Sequence, residues 1–374
     1  MSASRPTVCF ILGTRPEAIK CAPVIERMRK ETALNTRLLV TSQHRELQDS
    51  VLELFDLQPD WDLDVMKEDQ DLTRIITRLW EGICAVLAKE RPNLILVQGD
   101  TASAFVGGLA AAFHSIPVGH IEAGLRTGRD DMPFPEEIQR RLLTHVTQLH
   151  FAPTEHAKQN LLKEGIPPER IFVVGNPGVD AFHRITAGEL PSLDPHVQDF
   201  LDRDMKMILS TAHRREHWGR ILEGICTGIR QLVERNGDVF VTHMLHPNPV
   251  VRETVERIFS GNDRIVLLPT QPYAECLAYL KKSFLVLTDS GGIQEEAPYF
   301  GKPLLILRET TERPEGVEQG GATLVGTNPD AILREAERLL HNPSAYDAMA
   351  QIRTPYGDGK SAERIVRIIR EEFQ

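Results

Sequence analysis

Residues 8–17 read Val8-Cys9-Phe10-Ile11-Leu12-Gly13-Thr14-Arg15-Pro16-Glu17. Five apolar residues make a buried strand, and Gly13 permits a tight turn. Ile19, Val24, Ile25 and Met28 then fall roughly on one face of a helix over residues 18–30. Strand, turn and helix in succession are the unit of a parallel sheet covered on both faces. The unit recurs downstream. Strands are expected at 36–41, 94–98 and 118–121, with helices at 72–89 and 102–112. A second cycle begins with a strand at 207–211 and a helix running to 232, followed by strands at 239–245, 265–268, 284–288 and 304–307.

The chain of 374 residues is long enough for two such domains. The expected fold is α/β, two Rossmann-like doubly wound domains facing a central cleft. The first covers 1–178 and the second 179–355, with a linker over 175–195 rich in Gly, Pro and Asp. A last helix at 361–373, within a segment 356–374, is expected to pack back on the first domain.

Composition narrows the function classes. Hydrophobic residues make up 41% and charged residues 26%, which suits a packed globule. A formal net charge of -10 argues against a nucleic-acid partner. No apolar run approaches the length of a membrane span, and no signal peptide is evident. The five cysteines are scattered and form no C-x-x-C pair, so reduced thiols and a cytoplasmic protein are expected, with no zinc site.

The polar residues that stand out follow the strands, where ligands bind in such sheets. Gly13 and the helix N-terminus after it suit a phosphate, and Arg15 adds a forked donor. The same residues would also serve as a plain turn with a surface ion pair. In Asp289-Ser290-Gly291-Gly292-Ile293-Gln294-Glu295-Glu296, Ser290 is placed to cap a helix or bond a phosphate oxygen. Gly291 and Gly292 let backbone approach a ligand, and the Glu296 carboxylate can accept ribose hydroxyls. His213-Arg214-Arg215-Glu216 puts three potential cations at a strand-to-helix junction, fit to stabilise a departing diphosphate. His246 follows another strand. Asp100, Glu122 and the pair Glu136-Glu137 place carboxylates at strand ends and in a Pro-fixed loop, where acids with split affinities for protons can act as base and acid. The pairs Asp62/Asp64, Asp69/Asp71 and Asp202/Asp204 read as solvated acids.

Taken in order, Gly13 to Lys20, Gln43-His44-Arg45, Gly99-Asp100-Thr101, His120 to Gly128, Pro135-Glu136-Glu137, His213 to Glu216, Thr288 to Pro298, Thr310 to Glu315 and Pro355 to Gly359 resemble the non-hydrolysing UDP-N-acetylglucosamine 2-epimerases. The resemblance runs from about residue 7 to the final helix. It implies a GT-B-like fold, a homodimer, and no nicotinamide or metal cofactor. It implies Asp100, Glu122 and Glu136 as the acid/base set, with His213 assisting at the diphosphate. Arg15, His213, Ser290, Gly291, Gly292 and Glu296 would hold UDP, with Lys20, Arg140, His246 and Arg313 beside the substrate. Gln43, His44 and Gln70 match an activator site used by some members. The chain departs from the family pattern at Ala212 (usually Gly), His217 (Asn or Ser), Gln139 (Asn), Cys276 (often aromatic) and 102–104 (Thr usual at the start). The alternatives are an epimerase for another UDP-2-acetamido sugar, a hydrolysing epimerase, a GT-B glycosyltransferase and a non-catalytic nucleotide-sugar sensor.

Overall fold

The computed structural model describes residues 5–42, 45–66, 71–129, 132–352 and 355–373. Gln43, His44 and Gln70, the activator positions, lie outside them. The chain divides into two compact units: one runs to Arg184 and resumes at Tyr356, and the other covers Ile185–Pro355.

The first unit alternates β1 (Thr7–Leu12), α1 (Arg15–Arg29), β2 (Asn35–Val40), α2 (Arg45–Leu54), β3 (Trp61–Asp62), α3 (Leu72–Glu90), β4 (Leu94–Gln98), α4 (Ala102–Phe113), β5 (Val118–Ile121), α5 (Glu136–Val146), β6 (Leu149–Ala152), α6 (Glu155–Lys163), β7 (Ile171–Val173) and α7 (Pro177–Thr186). The seven strands are all parallel, in the order β3-β2-β1-β4-β5-β6-β7. The central strands are buried because both faces are covered; all five residues of β4 are buried, four of them aliphatic.

The second unit contains α8 (Pro195–Asp202), β8 (Lys206–Thr211), α9 (Arg220–Arg235), β9 (Val239–Met244), α10 (Pro249–Phe259), β10 (Ile265–Leu268), α11 (Tyr273–Lys282), β11 (Leu285–Thr288), α12 (Gly291–Glu296), β12 (Leu304–Ile306), α13 (Pro314–Glu318), β13 (Ala322–Leu324), α14 (Pro329–His341) and α15 (Pro343–Ala350). Its six parallel strands run β10-β9-β8-β11-β12-β13. In each sheet the order reverses once, between β1 and β4 and between β8 and β11. These are the switch points where loops diverge and leave a crevice.

α16 (Ser361–Glu372) belongs to the first unit and packs on α1, with Ile365, Val366, Ile368 and Ile369 buried. The Asp180 carboxylate accepts N–H bonds from Ser361 and Ala362 at its start, 3.2 and 2.9 Å.

The segment read as a linker is more ordered than its composition suggests. Pro177 starts α7, where a backbone donor has no partner within the helix and is not needed, and the Asn176 side chain accepts from Gly178 N at 2.9 Å. The division between units falls in the last turn of that helix, after Arg184 rather than after Gly178. Asp62 is exposed, and it also accepts from Ser42 Oγ at 2.8 Å and from Asp64 N at 3.0 Å, closing the turn after β3.

Candidate active site

In the first unit the switch point is flanked by the loops after β1 and β4. Gly13 is required there by packing rather than by backbone conformation. A Cβ at this position would collide with the side chains of Ser103 and Thr41. Its N–H, which the sequence offers to a phosphate, is already taken by the Glu17 carboxylate at 3.0 Å. Glu17 is fully buried and also accepts from Thr101 Oγ1 at 2.8 Å, so it ties the loop after β1 to the loop after β4. Thr14-x-x-Glu17 is the spacing of a capping box, a signal for this residue that the sequence analysis passed over.

Burial raises the Glu17 pKa to about 7, against the opposing hydrogen bonds from Thr14, Thr101 and Gly13. A folded pKa above the unfolded value of 4.5 gives stability that is complete below pH 4.5 and is lost as pH rises through 7. The expected loss is on the order of 3 kcal/mol. Glu17→Gln should remove this contribution, so the stability of the first unit should fall less between about pH 5 and 8 in the variant than in the unsubstituted protein. A slope unchanged in the variant would assign the pH dependence to other groups.

Glu122 follows β5 with a left-handed φ of +68°, rare for a residue with a side chain. Its carboxylate is buried and held on both oxygens. Lys20 Nζ donates to Oε1 at 2.5 Å, and Gln98 Nε2 donates to Oε2. The register Gln98↔Ile121 sets Gln98 beside the start of the Glu122 loop. The neighbouring Gly99 lies close enough that a Cβ there would be 3.4 Å from Glu122 Oε2. His120, fully buried and with its pKa lowered to about 3 by desolvation, donates Nε2–H to the Gly99 carbonyl at 2.7 Å. It thereby fixes the turn that carries Asp100.

Asp100 accepts from Arg140 Nη2, and Arg140 Nη1 also donates to the buried Glu137 at 3.0 Å. Glu137 further accepts from Thr127 N at 3.2 Å, so this member of the Glu136-Glu137 pair is a framework residue. Glu136, at the first turn of α5, is half-buried, as is Arg15 at the start of α1. Lys20 and Arg140, assigned by resemblance to the substrate, are therefore bonded to two of the three candidate catalytic carboxylates and hold them in place. The Asp100 side chain is 29% exposed against 5% for Glu122, so Asp100 has the more open face.

In the second unit the loops after β8 and β11 flank the switch point. Asp289, fully buried, accepts from the backbone N–H of His213 and of Arg214, 2.8 Å each. Arg214 Nε donates to the Asp289 carbonyl at 3.2 Å. Burial alone would raise the Asp289 pKa. The charge of His213 and the bonds from His217 and Arg214 outweigh it and hold the carboxyl well below its usual range. Asp289 was not singled out in the sequence, because its partners lie some 75 residues upstream. His213 stacks on His246, ring centroids 5.1 Å apart and planes 6° from parallel. The run His213 to Glu216 leads into a 3-10 turn over Arg215–His217, and the helix expected after it, α9, starts at Arg220, after Gly219 takes a φ of +78°.

Ser290 occupies the N-cap position of α12, but its side chain makes no capping bond; its N–H donates to Thr288 Oγ1 at 3.0 Å. The paired glycines have different causes. A Cβ at Gly291 would sit 2.7 Å from Arg313 Nη1, whereas at Gly292 the nearest atom would be Ser290 Oγ, 4.0 Å away. Arg313 lies buried under α12, donating to Glu295 at 2.5 Å and to Glu312. Ser290, Gly292 and Glu296 remain half-buried at the loop surface. Among the described residues, no group of three His, Cys, Asp or Glu side chains is gathered as a metal site. Among the same described residues, no helix is long and apolar enough to cross a membrane.

The chain matches the UDP-N-acetylglucosamine 2-epimerase family over residues 26–370. It is 46% identical over 368 residues to the UDP-N-acetylglucosamine 2-epimerase of Yersinia pestis, covering 97% of this chain and 98% of that protein. Against the enzyme of the same name from Salmonella typhimurium, the identity is 44% over 368 residues, with the same coverage. Its structure resembles that of the Neisseria meningitidis UDP-GlcNAc 2-epimerase bound to UDP-GlcNAc, with a TM-score of 0.91, 40% identity, and 98% and 100% of the two chains covered.

Proposed function

Because the chain belongs to the UDP-N-acetylglucosamine 2-epimerase family, we propose that it interconverts UDP-N-acetylglucosamine and UDP-N-acetylmannosamine without net hydrolysis. The hydrogen on C2 of the sugar is not beside a carbonyl, so its removal alone would leave an unstabilised carbanion. Elimination avoids this. A carboxylate takes the C2 proton, the C2–H electron pair forms the C1–C2 double bond, and the C1–O bond breaks with its electrons leaving on UDP. The intermediate is 2-acetamidoglucal. A proton returned to the opposite face of C2, with UDP oxygen re-adding at C1, gives the epimer.

Asp100, Glu122 and Glu136 form the acid/base set in this reading, and His213 stabilises the departing diphosphate. Arg15, His246, Ser290, Gly291, Gly292 and Glu296 hold the nucleotide. Lys20, Arg140 and Arg313 serve one step back, as counter-ions of protein carboxylates. The observation that carries the reading is Glu122, left-handed in backbone just after β5, the neighbour of the strand whose loop carries Asp100, with two buried donors on its carboxylate. A bent backbone and a doubly bonded carboxylate are costly arrangements that a plain surface loop does not need. The free state of all five cysteines supports a cytoplasmic setting, and the family likeness supports a homodimer.

Incubation with UDP-N-acetylglucosamine in deuterated water, followed by NMR, tests the assignment. The expected result is UDP-N-acetylmannosamine at equilibrium, deuterium at C2 of both sugars, and no accumulating UDP. Steady stoichiometric UDP release would mean a hydrolase, and absence of C2 exchange would mean a transferase.

A further inference from the structure

The Asp289 carboxylate divides its two oxygens between different tasks. Oδ2 accepts three N–H groups: His213 N and Arg214 N at 2.8 Å, and the ring Nδ1 of His217 at 3.1 Å. Oδ1 accepts no hydrogen bond and lies 3.3 Å from Nδ1 of His213. The loop thus saturates one oxygen and leaves the other facing an imidazole. The stack on His246 fixes the plane of the His213 ring, so Nε2 is the nitrogen turned away from the carboxylate.

We infer that Asp289 is the positioning residue of His213, holding Nδ1 protonated so that the ring presents Nε2–H to the leaving diphosphate, and that His217 competes for the same carboxylate. This rests on the reading that His213 meets the diphosphate. A neutral imidazole with its proton on Nδ1 offers only a lone pair at Nε2, which repels phosphate oxygens. An imidazolium keeps its Nδ1 beside the Asp289 charge, 3.3 Å away, and donates Nε2–H to the oxygen that gains charge as C1–O breaks. No proton need be transferred; the bond strengthens as UDP leaves and weakens as it returns.

The surroundings set the balance. Arg214, on the same loop, opposes a cation at position 213, but it lies 3.8 Å from Glu312, which offsets part of its charge. His243, on β9, is buried and kept neutral, its pKa lowered to about 4 by desolvation, and bonds Ser210 Oγ at 3.0 Å. His246 Nδ1 accepts from Asn248 N at 3.2 Å, so a neutral His246 carries its proton on Nε2. His217 is the remaining group. It is buried, and its ring shares the one negative charge with His213. Protonation of either imidazole disfavours protonation of the other.

The test is NMR of the enzyme carrying ¹⁵N-labelled histidine, titrated from pH 5 to 9 and assigned with single His→Asn variants, beside pH profiles of kcat. In the unsubstituted enzyme, Nδ1 of His213 should be protonated throughout. Asp289→Asn keeps an oxygen for the two backbone donors and turns an amide NH2 toward His213. It should lower the His213 titration by about one pH unit or more, since a charge partner within a few ångströms shifts a pKa by about 1–3 units. The alkaline limb of kcat should fall with it, with KM changing less. His217→Asn should move both in the opposite direction, by a smaller amount. Opposite shifts cannot come from a loosened loop. An unprotonated Nδ1 in the unsubstituted enzyme overturns the inference even if Asp289→Asn proves too unstable to study. So does a His213 titration indifferent to Asp289→Asn. If the titrations move as stated while the kcat limb stays fixed, the pairing stands and the placement of His213 at the diphosphate falls.

Discussion

Glu122→Gln is expected to lower kcat by about 10²–10⁴-fold, the range for loss of a proton-transferring group, while UDP binding changes little. The substitution keeps the shape of the side chain and the left-handed turn, and Gln98 can still donate to the amide oxygen. What is lost is the ability to carry a proton, and with it the charge that matches Lys20. Asp100→Asn should act similarly, because Asp100 is the more open carboxylate and Arg140 holds it in place. Initial rates with UDP-N-acetylglucosamine and calorimetric titration with UDP measure the two effects. Parallel loss of rate and UDP affinity would mean that these acids support the architecture rather than the chemistry.

Lys20→Met should cost about 3–5 kcal/mol of stability in the first unit, as when one partner of a buried ion pair is removed. The side chains of Lys20 and Glu122 are only 8% and 5% exposed, so water cannot replace the missing ammonium. The abandoned carboxylate would be driven to protonate, and the rate should fall as well. The double variant Lys20→Met/Glu122→Gln should recover most of the stability and none of the activity, since no buried charge remains to be matched. Hydrogen exchange of the β4 and β5 amides reads the first quantity. Additive losses in the double variant would show that the pair is not coupled.

Much of the fold was legible because the central strands are apolar runs bounded by Gly or polar residues. β4, β5 and β10 occupy the residues expected of them. β3, β7 and β13 have only two or three residues, too few for any periodicity to show. β6 is Leu149-His150-Phe151-Ala152, whose buried histidine hides a core strand behind a polar residue. At the site, the loops were legible but the pairings within them were not. Gln98 reads as the last residue of a strand, and only the register with Ile121 sets it beside Glu122. Gly291 reads as room for a ligand until Arg313 is seen beneath it. Lys20 and Arg140 are placed by resemblance beside the substrate, yet carboxylates of the same chain hold them. A sequence gives the types of charge present, whereas their pairing is decided by strand order.

The return of α16 to the first unit has a consequence for biosynthesis. The chain begins one domain, builds the whole of Ile185–Pro355, and only then supplies the helix that covers α1. The half translated first is thus the half finished last. Until that helix has left the ribosome, the apolar face awaiting Ile365 and Ile369 stays open to chaperones, while the later-translated domain already holds all of its own strands.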